Sequence, residues 1–225
     1  MLALPDADGV AAGHVAVPPL PFQARLLRRR AADGLRRTRA ARAEPARGVI
    51  ERLASREVYR NPWMGVREDD VRFADGSHGI YGVVEKPDFA LIVPWDGEAF
   101  YLVEQYRYPV AARFWEFPQG SWDDRSSDRP AEQLARAELE QETGLTAGRL
   151  THLGHLYEAC GFSDQGFDVY LAEELEQGEQ RLTPSEQDLV VGRFSRDELE
   201  RMVRACEIKD APSVAALALF ALNRL

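Results

Sequence analysis

Cysteine is scarce in this chain: Cys160 and Cys206 are the two in 225 residues. That is too few for a disulfide framework, and they read as reduced thiols of a cytoplasmic protein. No apolar run approaches the roughly 18 residues that a membrane span needs. The arginine-rich start has no apolar segment after it, so it does not read as a secretory signal. Four histidines are present: His14 lies near the start, His78 in a hairpin, and His152 and His155 point outward from a strand, so no His/Cys metal constellation exists. Basic charge is outweighed, with a net charge of -9. An acidic surface argues against nucleic acid as a general partner. There is no internal repeat and no sign of a second domain downstream.

The 45% hydrophobic content supplies an ordinary globular core. Residues 1–48 differ from the rest. They carry nine arginines against four acidic residues, about +5, which leaves the remainder near -14. Alanine, proline and arginine bias without a sustained apolar period reads as a disordered or weakly helical tail. The expected organisation is this tail followed by one domain over 49–225, of which 49–87 form an N-terminal strand region.

From Ile50 the pattern is one of short strands. The runs 57–73 and 78–86 flank Ala74-Asp75-Gly76-Ser77, and Asp-Gly is a strong hairpin signal. The continuous apolar run from Phe89 to Trp95 fits a buried strand, Asp96-Gly97 a turn, and the alternating Ala99 to Tyr108 its partner. Further strands are expected over 113–118, 150–159, 167–175 and 189–195. A helix is expected after Ser195, which forms a capping-box pattern with Glu198, and another opens at Asp210-Ala-Pro. The sum is α/β: a mixed sheet flanked by helices.

Between these strands lies an acidic helix, with Pro130 in its first turn and Gly144 at its end. Glu138 and Glu142 are four residues apart and share a face. Two carboxylates that close repel unless a cation sits between them, and carboxylates in a phosphate-handling site select Mg2+ or Mn2+. A solvated acidic face is the plainer alternative. Arg107 is the candidate to hold a substrate phosphate, because guanidinium forks onto phosphate bidentately; the alternative is an ion pair.

The segment from Gly120 to Leu145, with QYR at 105–107 and WEFPQG at 115–120, resembles the Nudix hydrolases, whose signature is G-x5-E-x7-R-E-U-x-E-E-x-G-U. Glu138, Leu139, Glu142, Gly144 and Leu145 match the second half of this box. Gly120 fits as the opening glycine if the loop is three residues longer, since counting back from Gly144 reaches Asp123. Arg129, Ala137 and Gln141 stand where the signature has Glu, Arg and Glu. QYR and the WEFPQG turn look like the segments that precede the box in the ADP-ribose and nucleoside-diphosphate-sugar pyrophosphatase branch. The resemblance runs from about Glu57 to the C-terminus.

The resemblance implies a Nudix-type α/β/α sandwich with a mixed sheet, preceded by antiparallel strands, and a divalent-metal-dependent cleavage of pyrophosphate in a nucleoside diphosphate linked to another moiety, ADP-ribose or a nucleotide sugar. It assigns Mg2+ or Mn2+ to Glu138, Glu142 and the backbone carbonyl of Gln119. Gly120 and Glu116 belong to substrate binding, Glu116 by orienting Arg107 or touching ribose. The loop before the closing strand supplies a general base, for which Glu186 is chosen over Asp188. Gln141 can still accept from a metal-bound water or bind through its carbonyl. Members of the branch pair as homodimers through N-terminal strands, so Trp63 could stack on a nucleobase across the interface; packing is the alternative. A catalytically silent nucleotide-binding or interaction protein on the same fold is the competing reading.

Overall fold

The computed structural model describes residues 49–122, 129–183 and 186–224. The readings of residues 1–48 and of Asp123 lie outside these residues.

Three strands come first: β1 (Ile50–Arg60), β2 (Gly65–Phe73) and β3 (His78–Glu85), an antiparallel sheet in the order β1-β2-β3. The stretch 57–73, read from sequence as one run, is two strands joined by a turn. Asn61 makes that turn, its Oδ1 accepting from the N–H of Trp63 at 2.9 Å and of Met64 at 2.7 Å, as an Asx side chain does when it stands in for backbone. The Asp-Gly hairpin forms as expected, with Gly76 at φ 84° and Asp75 accepting from the N–H of Ser77 at 2.9 Å.

Two further sheets build the body. One joins β4 (Phe89–Pro94), β7 (Gln119–Gly120), β8 (Leu145–Tyr157) and β9 (Gly166–Gln177) in the order β7-β4-β9-β8; β4 and β9 run parallel and the other pairs antiparallel. The other is antiparallel, β5 (Ala99–Arg107) lying between β10 (Val190–Ser195) and β6 (Ala112–Glu116). The expected β4–β5 hairpin is therefore not a ladder. The two strands share one bridge, Trp95 with Phe100, and then part into different sheets. Asp96 turns the chain, its Oδ1 accepting from Glu98 N–H at 2.9 Å and Ala99 N–H at 2.8 Å. Both edges of β4 are taken by β7 and β9, which is what a strand buried along its whole length requires.

Alternation along β4 then sorts the layers. Phe89, Leu91 and Val93 face a core shared with Phe100, Leu102 and Phe117, and with Leu199 and Met202 of α2 (Arg196–Arg204) and Ala216 and Phe220 of α3 (Ala211–Asn223). Ala90 and Ile92 face Leu134, Ala135 and Leu139 of α1 (Ala131–Thr143). Helices thus lie on both sides, giving the mixed α/β sandwich. Full burial of rings such as Phe100, Phe117 and Phe220 is worth about 1.5–3 kcal/mol each.

The ends of α1 fix its place. Pro130 is the residue before the helix rather than part of its first turn, with ψ 141°. Gly144 closes it at φ 71°, and a Cβ there would meet Gly178 O at 2.9 Å and Gln180 N at 3.0 Å, so both backbone angle and space demand glycine. The capping box of Ser195 and Glu198 forms on α2, and Asp210 caps α3 by accepting from Ser213 N–H at 2.8 Å.

Candidate active site

Leu134 and Leu139 seat α1 on the mixed sheet, and this rotation turns Glu138 and Glu142 toward β7. Glu142 is 2% exposed and accepts from the Gln119 N–H at 3.1 Å. A Cβ on Gly120 would lie 2.5 Å from the carboxyl carbon and both oxygens of Glu138. Only a residue without a side chain lets that carboxylate reach the strand.

Register decides where the backbone of Gln119 points. Ile92 N–H donates to Pro118 O at 2.9 Å, which makes Ile92 and Pro118 a hydrogen-bonded antiparallel pair. The next pair, Leu91 with Gln119, is then non-hydrogen-bonded, so the N–H and carbonyl of Gln119 both turn away from β4. The N–H goes to Glu142, and the carbonyl is turned to the same outer edge. The Gln119 side chain is used as well, its Nε2 donating to Asp210 Oδ2 at 3.2 Å.

Glu142 titrates well above the usual carboxylate range. Burial is the main cause, followed by the charges of Glu138, Glu116 and Glu186, against which the Gln119 N–H works in the opposite direction. Glu116, fully buried in β6, accepts from Arg107 Nε at 3.1 Å, from Arg107 Nη2, and from Gln105 Nε2 at 2.7 Å. Burial raises the Glu116 pKa, and Arg107 opposes that rise. Burial works against the charge of Arg107, but the bond to Glu116 outweighs it and the pKa is raised, with Asp210 and Glu142 adding to the field. Arg107 is therefore no ordinary surface ion pair: it is held rigidly by a buried partner, with 39% of its side chain still exposed.

Glu186 comes to the same end of α1. Its Oε2 accepts from Gln141 Nε2 at 3.1 Å and from the Thr183 N–H at 3.0 Å. Asp188, the other candidate, instead pairs with Arg113. Gln141 thus gives its Nε2 to the loop, a bond that does not use the carbonyl oxygen read from sequence as the acceptor for a metal-bound water. Trp63 lies apart, 69% exposed on the β1–β2 turn, so it is not a core tryptophan. His152 and His155 both approach Asp168 Oδ1, at 2.8 and 3.4 Å. Asp210 and Gln105 are the site-supporting residues that sequence reading missed; Asp210 was legible only as a helix cap.

The donor set suits a hard cation. Two carboxylates one turn apart, one of them buried beside further negative charge, lie at the end of β7, where the Gln119 carbonyl is turned outward; all are oxygen donors. Among the described residues no three His, Cys, Asp or Glu side chains form a closed cage. A cation held by Glu138, Glu142 and the Gln119 carbonyl would keep positions for water and phosphate, as Mg2+ does. An open oxygen site of this kind is what metal-assisted hydrolases of phosphate compounds use.

Comparison with known proteins narrows the class. Residues 50–84 match the family described as nucleoside diphosphate sugar hydrolase N-terminal domain. The chain is 32% identical over 170 residues to an ADP-ribose pyrophosphatase of Mycobacterium tuberculosis (strain ATCC 25618 / H37Rv), covering 75% of this chain and 81% of that one. It is 28% identical over 167 residues to an ADP-ribose pyrophosphatase of Bacillus subtilis (strain 168), covering 73% and 89%. A solved structure, described as an ADP compounds hydrolase, superposes with a TM-score of 0.69 at 21% identity, covering 77% of this chain and 93% of that chain, and shows the shared fold. The chain belongs to the Nudix hydrolases, in the ADP-ribose pyrophosphatase branch, and is an enzyme of pyrophosphate hydrolysis. Enzymes of this branch generally use divalent metals.

Proposed function

We propose that this enzyme hydrolyses ADP-ribose or a related nucleoside-diphosphate sugar, with Mg2+ or Mn2+ held by Glu138, Glu142 and the Gln119 carbonyl. The observation that carries the reading is the buried Glu142, bonded to the Gln119 N–H beside a glycine that leaves room for the Glu138 carboxylate. The names of the two pyrophosphatase relatives supply the substrate class. When bound, the cation neutralises phosphate charge and lowers the pKa of a water.

The protein's own residues do the rest. Arg107, kept in place by the buried Glu116, offers its guanidinium to a phosphate oxygen and binds the diphosphate. Gly120 gives the Glu138 carboxylate its clearance at the strand end and so keeps that carboxylate beside the bound diphosphate. Glu186 takes the proton from the attacking water as its oxygen bonds to the nucleoside's phosphorus; the bond from that phosphorus to the bridging oxygen breaks, and the sugar phosphate leaves on the far side. Gln119, tied to Glu142 by its N–H and to Asp210 by its amide, keeps strand and helix ends in register.

The N-terminal sheet supports a homodimer. Every residue of β1 is exposed, and Val58, Tyr59 and Ile80 are 52%, 52% and 64% exposed. That much apolar surface on one three-stranded sheet fits a protein partner, and a second copy of the chain would bring Trp63 to a neighbouring site. No helix among the described residues is long and apolar enough to cross a membrane, and a cytoplasmic enzyme is the reading we adopt.

The test is turnover of a panel of ADP-ribose, nucleotide sugars and dinucleoside polyphosphates with Mg2+ or Mn2+, read by phosphorus NMR in water enriched with heavy oxygen. A nucleoside monophosphate carrying the label, absent in Glu142→Gln, is the expected result. Binding without turnover across the panel would refute the substrate class.

A further inference from the structure

We infer that Gln141, where the signature has glutamate, is the positioning residue for Glu186; this rests on reading Glu186 as the general base. A base on a loop must be held at a fixed distance from its water, because misplacement by about 1 Å costs roughly 100-fold in rate. The loop after β9 is fastened to the last turn of α1. Gly178 N–H donates to Gly144 O at 2.7 Å, Arg181 N–H to Gln141 O at 3.1 Å, and Gln180 Nε2 to Glu142 O at 2.6 Å. These bonds use carbonyls that a helix end leaves without intrahelical partners. They fix the backbone but leave the Glu186 carboxylate to be aimed.

The aiming falls to two donors on one oxygen. Gln141 Nε2 and Thr183 N–H both meet Glu186 Oε2, at 3.1 and 3.0 Å. With the two lone pairs of Oε2 taken, Oε1 is the oxygen left to receive the proton of the attacking water. Gln141 and Glu142 are consecutive on α1, so they point about 100° apart: Glu142 toward β7, Gln141 toward the loop. The amide is required by chemistry and not only by shape. An ionised glutamate at 141 would be an acceptor facing an acceptor, with no proton to bridge the 3.1 Å gap. The departure from the signature thus converts a repulsive contact into the bond that sets the base.

The experiment uses the full chain in five forms: Gln141→Leu, Gln141→Asn, Gln141→Glu, Glu186→Gln, and Gln141→Leu with Glu186→Gln. Steady-state turnover of ADP-ribose is read beside the rise in melting temperature with Mn2+ alone. Glu186→Gln should lose about 100-fold or more in kcat, as loss of a general base does. Gln141→Leu and Gln141→Asn should lose about tenfold in kcat with KM and the Mn2+ dependence of melting unchanged, and Gln141→Glu should lose at least as much. The double variant should be no slower than Glu186→Gln, since a residue that acts through the base has nothing left to position. Multiplying losses in the double variant, faster turnover in Gln141→Glu, or altered Mn2+ dependence in Gln141→Leu would overturn the inference. Full turnover in Glu186→Gln would remove the base assignment itself, an outcome distinct from those three. Should Gln141→Leu fail to fold, Gln141→Asn, which keeps an amide one methylene short, carries the same comparison.

Discussion

The side chain of Asp210 joins two parts of the site: its Oδ2 accepts from Gln119 Nε2 at 3.2 Å while capping α3 through the N–H and Oγ of Ser213, at 2.8 and 2.6 Å. Ser213 Oγ in turn accepts from Phe117 N–H at 2.8 Å. One carboxylate therefore sets the helix start and the approach to β7 together. Asp210→Ala should cost about 2 kcal/mol, the upper range for a lost cap, and Asp210→Asn less than 1 kcal/mol, because an amide oxygen still caps. Urea denaturation of both variants checks the order.

Gly120→Ala should fold, yet lose activity. The added methyl would occupy the place of the Glu138 carboxylate, so that carboxylate must swing away from the strand end. Mn2+ should then raise the melting temperature of the variant little or not at all, whereas it raises that of the parent, and kcat should fall at least tenfold. Unchanged Mn2+ stabilisation in the variant would refute the placement of the cation.

Removing Arg107 should destabilise the protein more than removing the pair. Arg107→Met leaves Glu116 charged and fully buried, a loss on the order of 3–5 kcal/mol. Arg107→Met with Glu116→Gln should recover most of it. Arg107→Lys keeps the charge but not the fork, so KM for substrate should rise while stability falls modestly. Chemical denaturation and steady-state kinetics on the three variants separate these effects.

Acid sensitivity should appear at the β4–β5 corner. Burial pushes the Asp96 carboxyl up, but Arg193 and the N–H groups of Glu98 and Ala99 pull it further the other way, to about 2. A depressed folded-state pKa stabilises the native state above the unfolded value near 4, and that contribution is lost as pH falls toward 2. Asp96→Asn should therefore trail the parent by on the order of 1 kcal/mol at neutral pH, after discounting for solvent around the half-exposed Arg193. The gap should close between about pH 4 and 2, as thermal melts across that range would reveal.

Trp63→Ala should leave monomer stability within about 0.5 kcal/mol, because the ring is 69% exposed. Where the ring serves a partner's substrate, KM should rise several-fold with kcat unchanged. Equal kinetics for parent and variant would remove Trp63 from the site.

Legibility of this fold from its sequence followed interaction range. The i,i+4 carboxylates of α1, the capping box on α2 and the glycine that ends α1 are local patterns, and each was readable. The Asn61 turn was within reach but hidden inside a β-rich run. Pairings set by the body of the protein were not. Asp96-Gly97 looks like a hairpin turn, yet packing of Phe89, Leu91 and Val93 against Phe100 and Leu102 sends β4 and β5 into separate sheets. Nothing local links Gln119 to Asp210 or Gln141 to Glu186, which are 91 and 45 positions apart. Departures from the box looked like losses because what Gln141 gains lies in a distant loop.

The fastening of the loop after β9 to α1 also sets how this region breathes. The amide protons of Gly178 and Arg181 are bonded to carbonyls of Gly144 and Gln141, so they exchange with solvent when the final helical turn frays. Loop and helix end form one opening unit. A cation held by Glu138 and Glu142 would slow hydrogen exchange at Gly178 and Arg181, positions that touch no ligand, and the protection of those two amides would report occupancy from outside the site.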